Sequence, residues 1–525
     1  MRPGAWAGTA GLCRLAFATE RRWIVGTFLA FLATYVATAA QIRQIAPTVG
    51  ERVGLQGTIA QTPGFRVLLG PFEHTAEIGG ATLWRVGVFM LAVAGMLAAA
   101  CVVRLTRRAE EQGQAELLGA AAVGRLAALG AGLVAAAALT LAAAVGATLG
   151  LVVGAGAGAT DAVAAGAQVV VVGVATAGLA AVAAQVAQAA RSALGIAAGV
   201  LLAAYAVRGA ADVRHSDAVQ WLTPFGWAAQ VDPFGEDHWY PLGVALLATA
   251  LLVGLAVVLR DRRDVGAGLI APRPGRPTGR QLGTPLALTL RLERRAGAVW
   301  LAGLVAFGIF VSSLVPTVVR LGSAEGGLAE ALRRLGGAGA LTDVFVSAMA
   351  SIGALVVASW GVAVVTRHHA DETGGRLEQV LATAVSRRSV LLAPAVVALL
   401  GVLPALAVSG VAIGLSGGDL GDALAAALVQ APAVWVVIAF AVLGQALGGR
   451  WTAMAWGGVV WATGVGQVGS AVGLPEWAQQ ASPFTHVPGV PADPFALVPE
   501  LALTVGAALL LVAAVVVVRR RDVPR

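Results

Sequence analysis

The chain contains no lysine: all 36 of its basic residues are arginine. A phosphate-binding loop of the G-x-x-x-x-G-K-[ST] kind takes a phosphate contact from its lysine, so no standard nucleotide-hydrolysing domain is encoded. Charge of either sign is scarce. Charged residues make up 12% of the 525 and hydrophobic residues 58%, with a mean hydropathy of +0.81. A soluble domain carries roughly 25% charged residues, so this composition is that of an integral membrane protein. Cys13 and Cys101 are the only cysteines. Two such isolated residues exclude a disulfide framework and are expected to be free thiols.

Ionisable residues are missing from the middle of every apolar run. Arg85, Arg191, Asp343 and Arg450 all stand at run ends. Ion-driven transporters keep such groups mid-membrane because the cost of placing them there serves a function. The energy source is therefore expected outside this chain. No nucleophile–base pair and no zinc-like spacing occurs, so neither a catalytic residue nor a metal is expected. Asp212, His215, Asp217, Asp232, Glu236, Asp237 and His238 read as an acidic, wet loop, and His368-His369 as part of a solvated basic face. Gly464-Val465-Gly466-Gln467-Val468-Gly469 fits G-x-G-x-x-G but lies inside an apolar run with no strand before it, so it reads as close helix packing. Arg14, Arg21 and Arg22 precede the first apolar run, which has no small-residue cleavage site after it and does not read as a cleaved leader.

What is abundant is apolar runs of spanning length. A bilayer crossing takes roughly 20 apolar residues. Runs lie near 23–41, 83–104, 126–150, 163–188, 193–210 and 241–259, then near 298–319, 341–365, 388–415, 423–447, 451–472 and 497–518. The fold class is thus an all-α integral membrane protein of twelve spans, in two six-span halves, 1–259 and 286–525. Residues 260–285, rich in Pro, Gly and Arg, read as the linker. Arginine placement orients the chain: with the linker in the cytoplasm, 27 of the 36 arginines but 11 of the 28 acids fall on that side. The positive-inside bias then puts both termini and the linker in the cytoplasm. Before the first span of each half, residues 10–22 and 286–296 are amphipathic, with Arg14, Arg21 and Arg22 in one and Arg291, Arg294 and Arg295 in the other. Each is expected to be a helix lying in the membrane interface. On the other side, Trp221-Leu222-Thr223-Pro224-Phe225 and Ala481-Ser482-Pro483-Phe484 recur before the last span of each half and suggest short helices.

The two halves repeat one further sentence. Residues 106–125 carry Arg107, Glu110, Glu111, Gly113, Glu116, Leu117 and Arg125; residues 366–387 carry Arg367, Asp371, Glu372, Gly374, Leu377, Glu378, Leu381 and Arg387. Each island joins the second and third runs of its half. Arg125 stands nine positions after Glu116, and Arg387 nine after Glu378. Leu377, Val380, Leu381 and Ala384 follow the i, i+3, i+4, i+7 spacing of a short surface helix. An ordinary loop would not keep this order twice, so the islands are the candidate functional site and the chain is a duplicated, fused unit.

Gly375-Arg376-Leu377-Glu378-Gln379-Val380-Leu381-Ala382-Thr383-Ala384-Val385-Ser386-Arg387 resembles the coupling segment of ABC transporter type-2 permeases. Ala384 stands where that segment usually has Pro, and the first copy has Gly119 and Ala120 where Ala and Thr are usual. Over the whole chain the likeness is to the long fused actinobacterial permeases described as exporters of polyketide antibiotics. The resemblance implies a membrane subunit working with two copies of a separate ABC ATPase, which would bind ATP and Mg. It also implies that the islands and the amphipathic helices dock on that ATPase, and that a hydrophobic or amphipathic small molecule passes between the halves. Besides that substrate and the lipid bilayer no other partner is expected, and no nucleic acid. Two other classes remain open at this point: a twelve-span secondary drug transporter, and a membrane-bound enzyme or scaffold.

Overall fold

A computed structural model describes residues 4–60, 63–71, 73–119, 123–263, 268–270, 283–323, 337–373, 376–415, 419–449, 451–468 and 475–520. The described residues are helical throughout, apart from turns and one isolated parallel bridge between Ala187 and Ile270. By contacts the chain divides into two compact units, Met1–Pro274 and Gly275–Arg525.

The first unit holds α1 (Thr9–Ile45), α2 (Val49–Ala60), α3 (Pro63–Leu69), α4 (Ile78–Glu111), α5 (Gln114–Gly119), α6 (Ala127–Ala155), α7 (Ala159–Val186), α8 (Ala190–Arg214), α9 (Asp217–Gln220), α10 (Pro224–Ala229) and α11 (Tyr240–Asp261). The second holds α12 (Pro285–Ser323), α13 (Gly337–Thr373), α14 (Arg376–Leu381), α15 (Arg387–Gly414), α16 (Leu420–Leu428), α17 (Ala431–Leu447), α18 (Trp451–Val468), α19 (Glu476–Gln479) and α20 (Leu497–Arg520). Eleven of the expected spans are helices long and apolar enough to cross a membrane, α16 and α17 together making one of them. The remaining one is α18, whose sequence run continues into 469–472, outside the described residues. The protein is an all-α integral membrane protein.

In the first unit α7 is the most buried span and touches α4, α6, α8 and α11. Its Ala, Gly and Val composition permits this, because small residues let helix backbones approach closely when lipid offers no hydrophobic drive. A Cβ at Gly173 would stand 2.4 Å from a Thr140 side-chain atom, and one at Gly146 would stand 2.5 Å from the Phe28 carbonyl oxygen. In the second unit α13 takes the central place, packing on α12, α15, α16, α17 and α18 around Val357, Val362, Leu406 and Ile438.

The separate interfacial helices do not exist as elements. Residues 10–22 and the first span form one continuous helix of 37 residues, and 286–296 continue into the seventh span in a helix of 39 residues. At 1.5 Å per residue each exceeds 50 Å, well beyond the roughly 30 Å hydrocarbon core. The drop in hydropathy at Arg21-Arg22 marks where the helix leaves the apolar zone. It does not interrupt the backbone hydrogen bonds, since no Pro or turn-forming pair stands at either junction. At the far end of the first unit, Arg52 staples α1 to the approach to α4, donating to the carbonyls of Ala46 (2.9 Å), Pro47 (3.1 Å) and Ala76 (2.8 Å). The short helices expected before the last spans are present as α9 and α10, the latter capped by Thr223 accepting from the Gly226 amide at 3.1 Å, and as α19 with the turn Pro483–His486.

Candidate functional site

The first island begins inside α4. Over Arg104–Arg108 the helix widens into a π turn, which gives the last stretch one extra residue and re-aims the side chains that follow. Arg107 is turned inward and is 1% exposed. Its Nε donates to the Gln188 carbonyl at 2.6 Å and its Nη1 to Glu110 Oε2 at 2.7 Å. Glu110 is the centre of the cluster. Arg263 grips it with a two-pronged contact at 2.9 Å on each oxygen, and Arg260 makes a third ion pair with it. Arg263 also donates through Nε to Gln185 Oε1 at 2.8 Å. One carboxylate therefore joins the ends of α4, α7 and α11. The next acid, Glu111, accepts from the Ala190 amide at 2.8 Å. It serves as the cap of α8, whose own N-cap position is Ala189 with no side chain to offer.

The linker and the N-terminal segment close around the same end. Leu269 and Ile270 donate to the carbonyls of Gln185 and Val186, and Gly124 and Leu126 donate to those of Ala7 and Ala5. Arg125 pairs with Asp261 at 3.0 Å.

A second tie joins the first two spans. Glu20, buried on α1, receives Arg104 of α4 in a forked contact, one arm of which is Nε to Oε1 at 2.9 Å, while the guanidinium lies 5.3 Å from the Trp23 ring centre. The second unit has the same tie in a different register: Arg367 of α13 pairs with buried Glu293 of α12 at 2.8 Å. Trp23 and Trp300 correspond in the repeat, and the acid lies three residues before the first but seven before the second. The arginine has moved by a comparable step, since Arg367 is the counterpart of Arg107 rather than of Arg104. Both partners are thus displaced by about one helical turn toward the island.

The predicted residues separate into groups. Arg107 and Glu110 point into their own unit, and Glu111 caps a neighbouring helix. Gly113 takes the left-handed conformation at φ +72° that ends α4 and lets α5 begin. Glu116 and Leu117 stand out from the surface, Leu117 being 79% exposed. In the second island Arg367 is engaged with Glu293, Glu378 is exposed and Leu381 half-buried on α14. Gly374 lies outside the described residues, as do the side chains of Asp371, Glu372, Leu377 and Arg387. Arg14, Arg21, Arg22, Arg294 and Arg295 are exposed on α1 and α12, and Arg291 is half-buried. α5 and α14 are each six residues long and begin 262 residues apart, with Glu116 and Glu378 as the third residue of each. Sequence reasoning missed Glu20, Glu293, Arg260 and Arg263 as members of these clusters. The signal for Glu20 was available: it lies four residues after Ala16 on the buried face of an otherwise basic helix.

The opposite end of the first unit holds the acidic loop. Its members pair with neighbours: Asp212 with Arg208 at 3.2 Å, Asp232 with His74 at 3.1 Å, and Glu236 with His238 at 3.2 Å. Desolvation, then Asp161 and Asp232, push the Asp237 carboxyl above its ordinary range. No grouping among the described residues could hold a metal ion. Cys13 and Cys101 are free, as expected.

Two packed bundles of spanning helices, each with a short helix between its second and third spans, define a polytopic all-α membrane protein. Residues 282–519 match the family model for the C-terminal domain of the multidrug efflux system permease Rv1217c. The multidrug efflux system permease protein Rv1217c of Mycobacterium tuberculosis is 35% identical over 537 residues, covering 99% of this chain and 96% of that protein. The chain belongs to the family of that permease, an ABC transporter type-2 permease of the long fused kind.

Proposed function

We propose that the chain is the membrane subunit of an ATP-driven exporter of hydrophobic or amphipathic compounds, energised by two copies of a separate ABC ATPase that binds ATP and Mg. The observation that carries the reading is the pair of six-residue helices α5 and α14. They occupy the same register of the repeat, each with an exposed glutamate at its third position. A carboxylate there interacts favourably with its own helix N-terminus and leaves its outer oxygen for a donor on a docked protein. The relative's description as a multidrug efflux permease supports drug export by this chain. The arginine excess supports a cytoplasmic position for the island end, both termini and the linker, where an ATPase would meet them.

In this arrangement Arg107, Glu110 and Glu111 stiffen the mount of α5, while Glu116, Leu117, Glu378 and Leu381 meet the partner. The exposed arginines of α1 and α12 extend the basic surface around the islands. The test is recovery of the ATPase with tagged permease, together with drug export. Glu116→Ala with Glu378→Ala is expected to leave the chain inserted while weakening ATPase recovery by about a hundredfold or more and export with it, as the loss of two charge-assisted contacts of about 1.5–3 kcal/mol each would require. A double variant that assembles and exports like the parent removes the islands from the mechanism.

A further inference from the structure

At the end of the first unit opposite the island, a cavity of about 130 Å³ opens between α4, α7, α8 and α10. Sites for drug-sized molecules occupy roughly 300 Å³ or more, so this one is too small for the compounds of the proposed export. One side of it is hydrocarbon, from Leu83, Val88 and Phe225, and the other side is polar.

Gln168 decides what the polar side can accept. It stands nine residues into α7 from Ala159, about 14 Å along the axis, and is 9% exposed. Its Nε2 donates to the Ala228 carbonyl at 2.9 Å, while its Oε1 has no donor among the described residues. That oxygen is not one of the sealed unpaired atoms of the fold, so it opens on the cavity that Gln168 lines. A buried amide oxygen without a donor is penalised until one arrives. Charge is arranged nearer the surface. Arg208 and Asp212 neutralise each other at 3.2 Å. Glu73, also lining the cavity, is exposed and makes no ion pair among the described residues. Asp232 keeps 34% of its side chain exposed beyond its contact with His74. The rim is therefore acidic.

We propose that this cavity binds a small organic ammonium ion that carries a second O–H or N–H donor, of the kind of a short amino alcohol. The second donor reaches Gln168 Oε1, the ammonium stays at the acidic rim, and the few methylenes between them lie along Leu83, Val88 and Phe225. Water can satisfy Gln168 but gains nothing from that wall, whereas a short methylene chain is favoured there. Glu73 and Asp232 repel an anion. Phospholipid headgroups fail one demand or the other: a choline nitrogen has no N–H, and the oxygen of an ethanolamine headgroup is esterified. The site lies within one unit and goes beyond the export reading, because occupancy requires neither ATP nor the ATPase.

The test uses the full chain in phosphatidylcholine nanodiscs and radiolabelled ethanolamine in equilibrium dialysis. One saturable site per chain is expected. Propylamine, in which a methyl replaces the hydroxyl, should bind about three- to tenfold more weakly, the effect of one neutral hydrogen bond. In n-propanol a methyl replaces the ammonium, and it should not compete measurably. Gln168→Leu keeps the bulk of the side chain and should erase the preference for ethanolamine over propylamine. Glu73→Gln should weaken both amines alike, about two- to fivefold, as loss of an exposed charge does. Ala229→Phe, at an exposed lining position, should block binding while leaving Gln168 and Glu73 in place. Absence of saturable binding, equal affinity for the two amines, or equal competition by n-propanol would overturn the proposal. So would a preference that survives Gln168→Leu, or binding unmoved by Ala229→Phe. Competition by phosphatidylethanolamine added to the nanodisc would make the cavity a headgroup site and overturn it as well. Because neither transport nor ATPase recovery is measured, these failures are separate from any failure of the export reading.

Discussion

Neutralising Glu110 removes the one anion that three arginines share. Arg107 and Arg263 are 1% and 2% exposed at the side chain, so neither can turn to water when the carboxylate is gone. Breaking a buried ion pair by deleting one partner typically costs about 3–5 kcal/mol, because the other charge stays buried. Two charges are stranded here, but the penalties do not simply double. Arg107 keeps the Gln188 carbonyl and Arg263 keeps the Gln185 carboxamide. We therefore expect Glu110→Gln to destabilise the island end of the first unit by about 3–5 kcal/mol. The chain carries its own reporter: Cys101, buried on α4 three residues before the π turn. In a Cys13→Ser background, its rate of thiol labelling follows the local opening equilibrium. At 1.4 kcal/mol per tenfold, labelling should accelerate by roughly two to three and a half orders of magnitude. Glu111→Gln, whose amide oxygen can still accept from Ala190, should change it less than tenfold. Similar rates for the parent and Glu110→Gln would mean that the cluster does not hold these helix ends together.

Purified chain alone should hydrolyse no ATP above background and should gain hydrolysis on addition of its partner, since no phosphate-binding loop is encoded; robust turnover by the single polypeptide contradicts the proposed function. Gly124→Ala would bring a Cβ within 2.3 Å of the Ala5 carbonyl oxygen, and the N-terminal segment should then be trimmed by protease several times faster than in the parent. A cysteine placed at Gly235 should react with an impermeant thiol reagent in intact cells while one at Gly275 should not, and the reverse pattern overturns the orientation. The raised Asp237 carboxyl binds its proton more tightly folded than unfolded. Its contribution to stability is therefore present at low pH and lost as pH rises through its elevated folded value. Thermal midpoints of Asp237→Asn should fall less than the parent's across that window.

The spans were legible because lipid imposes one demand, an unbroken apolar helix, and hydropathy reads it directly. The repeat between the islands is legible for a different reason: a Glu with an Arg nine positions on does not depend on any contact. What the sequence hid is the partnership of charges distant along the chain. Glu110 and Arg263 are 153 positions apart, and nothing local marks them as partners. A π turn likewise has no reliable sequence signature, yet it decides that Arg107 faces inward. The split at Arg22-Trp23 was misread because polarity was taken as a structural boundary. Helix continuity depends on backbone hydrogen bonds, and arginine is a good helix former whether or not lipid surrounds it.

The two ties between first and second spans bear on how the halves work. Glu20–Arg104 and Glu293–Arg367 join equivalent helices by equivalent chemistry, one turn apart, about 5 Å along the axis. Under the proposed function, a tie between antiparallel packed helices acts as a pivot, and its height sets how far the island beyond it swings for a given tilt. In the first half the pivot is deeper, and the stretch beyond it is held again by Glu110 and its three arginines. In the second, Arg367 is spent on the pivot itself, because the residue that corresponds to Arg107 has become the partner of Glu293. One arginine position of the repeat thus does different work in the two halves. Duplication kept both short helices in register while reassigning the residues that brace them, so equal pushes on α5 and α14 need not produce equal motions. Moving the second pivot to the first half's register, with Glu293→Ala, Gly297→Glu and Val364→Arg together, should preserve assembly with the ATPase and change export. If export is unaltered while the new pair forms, pivot height carries no mechanical meaning.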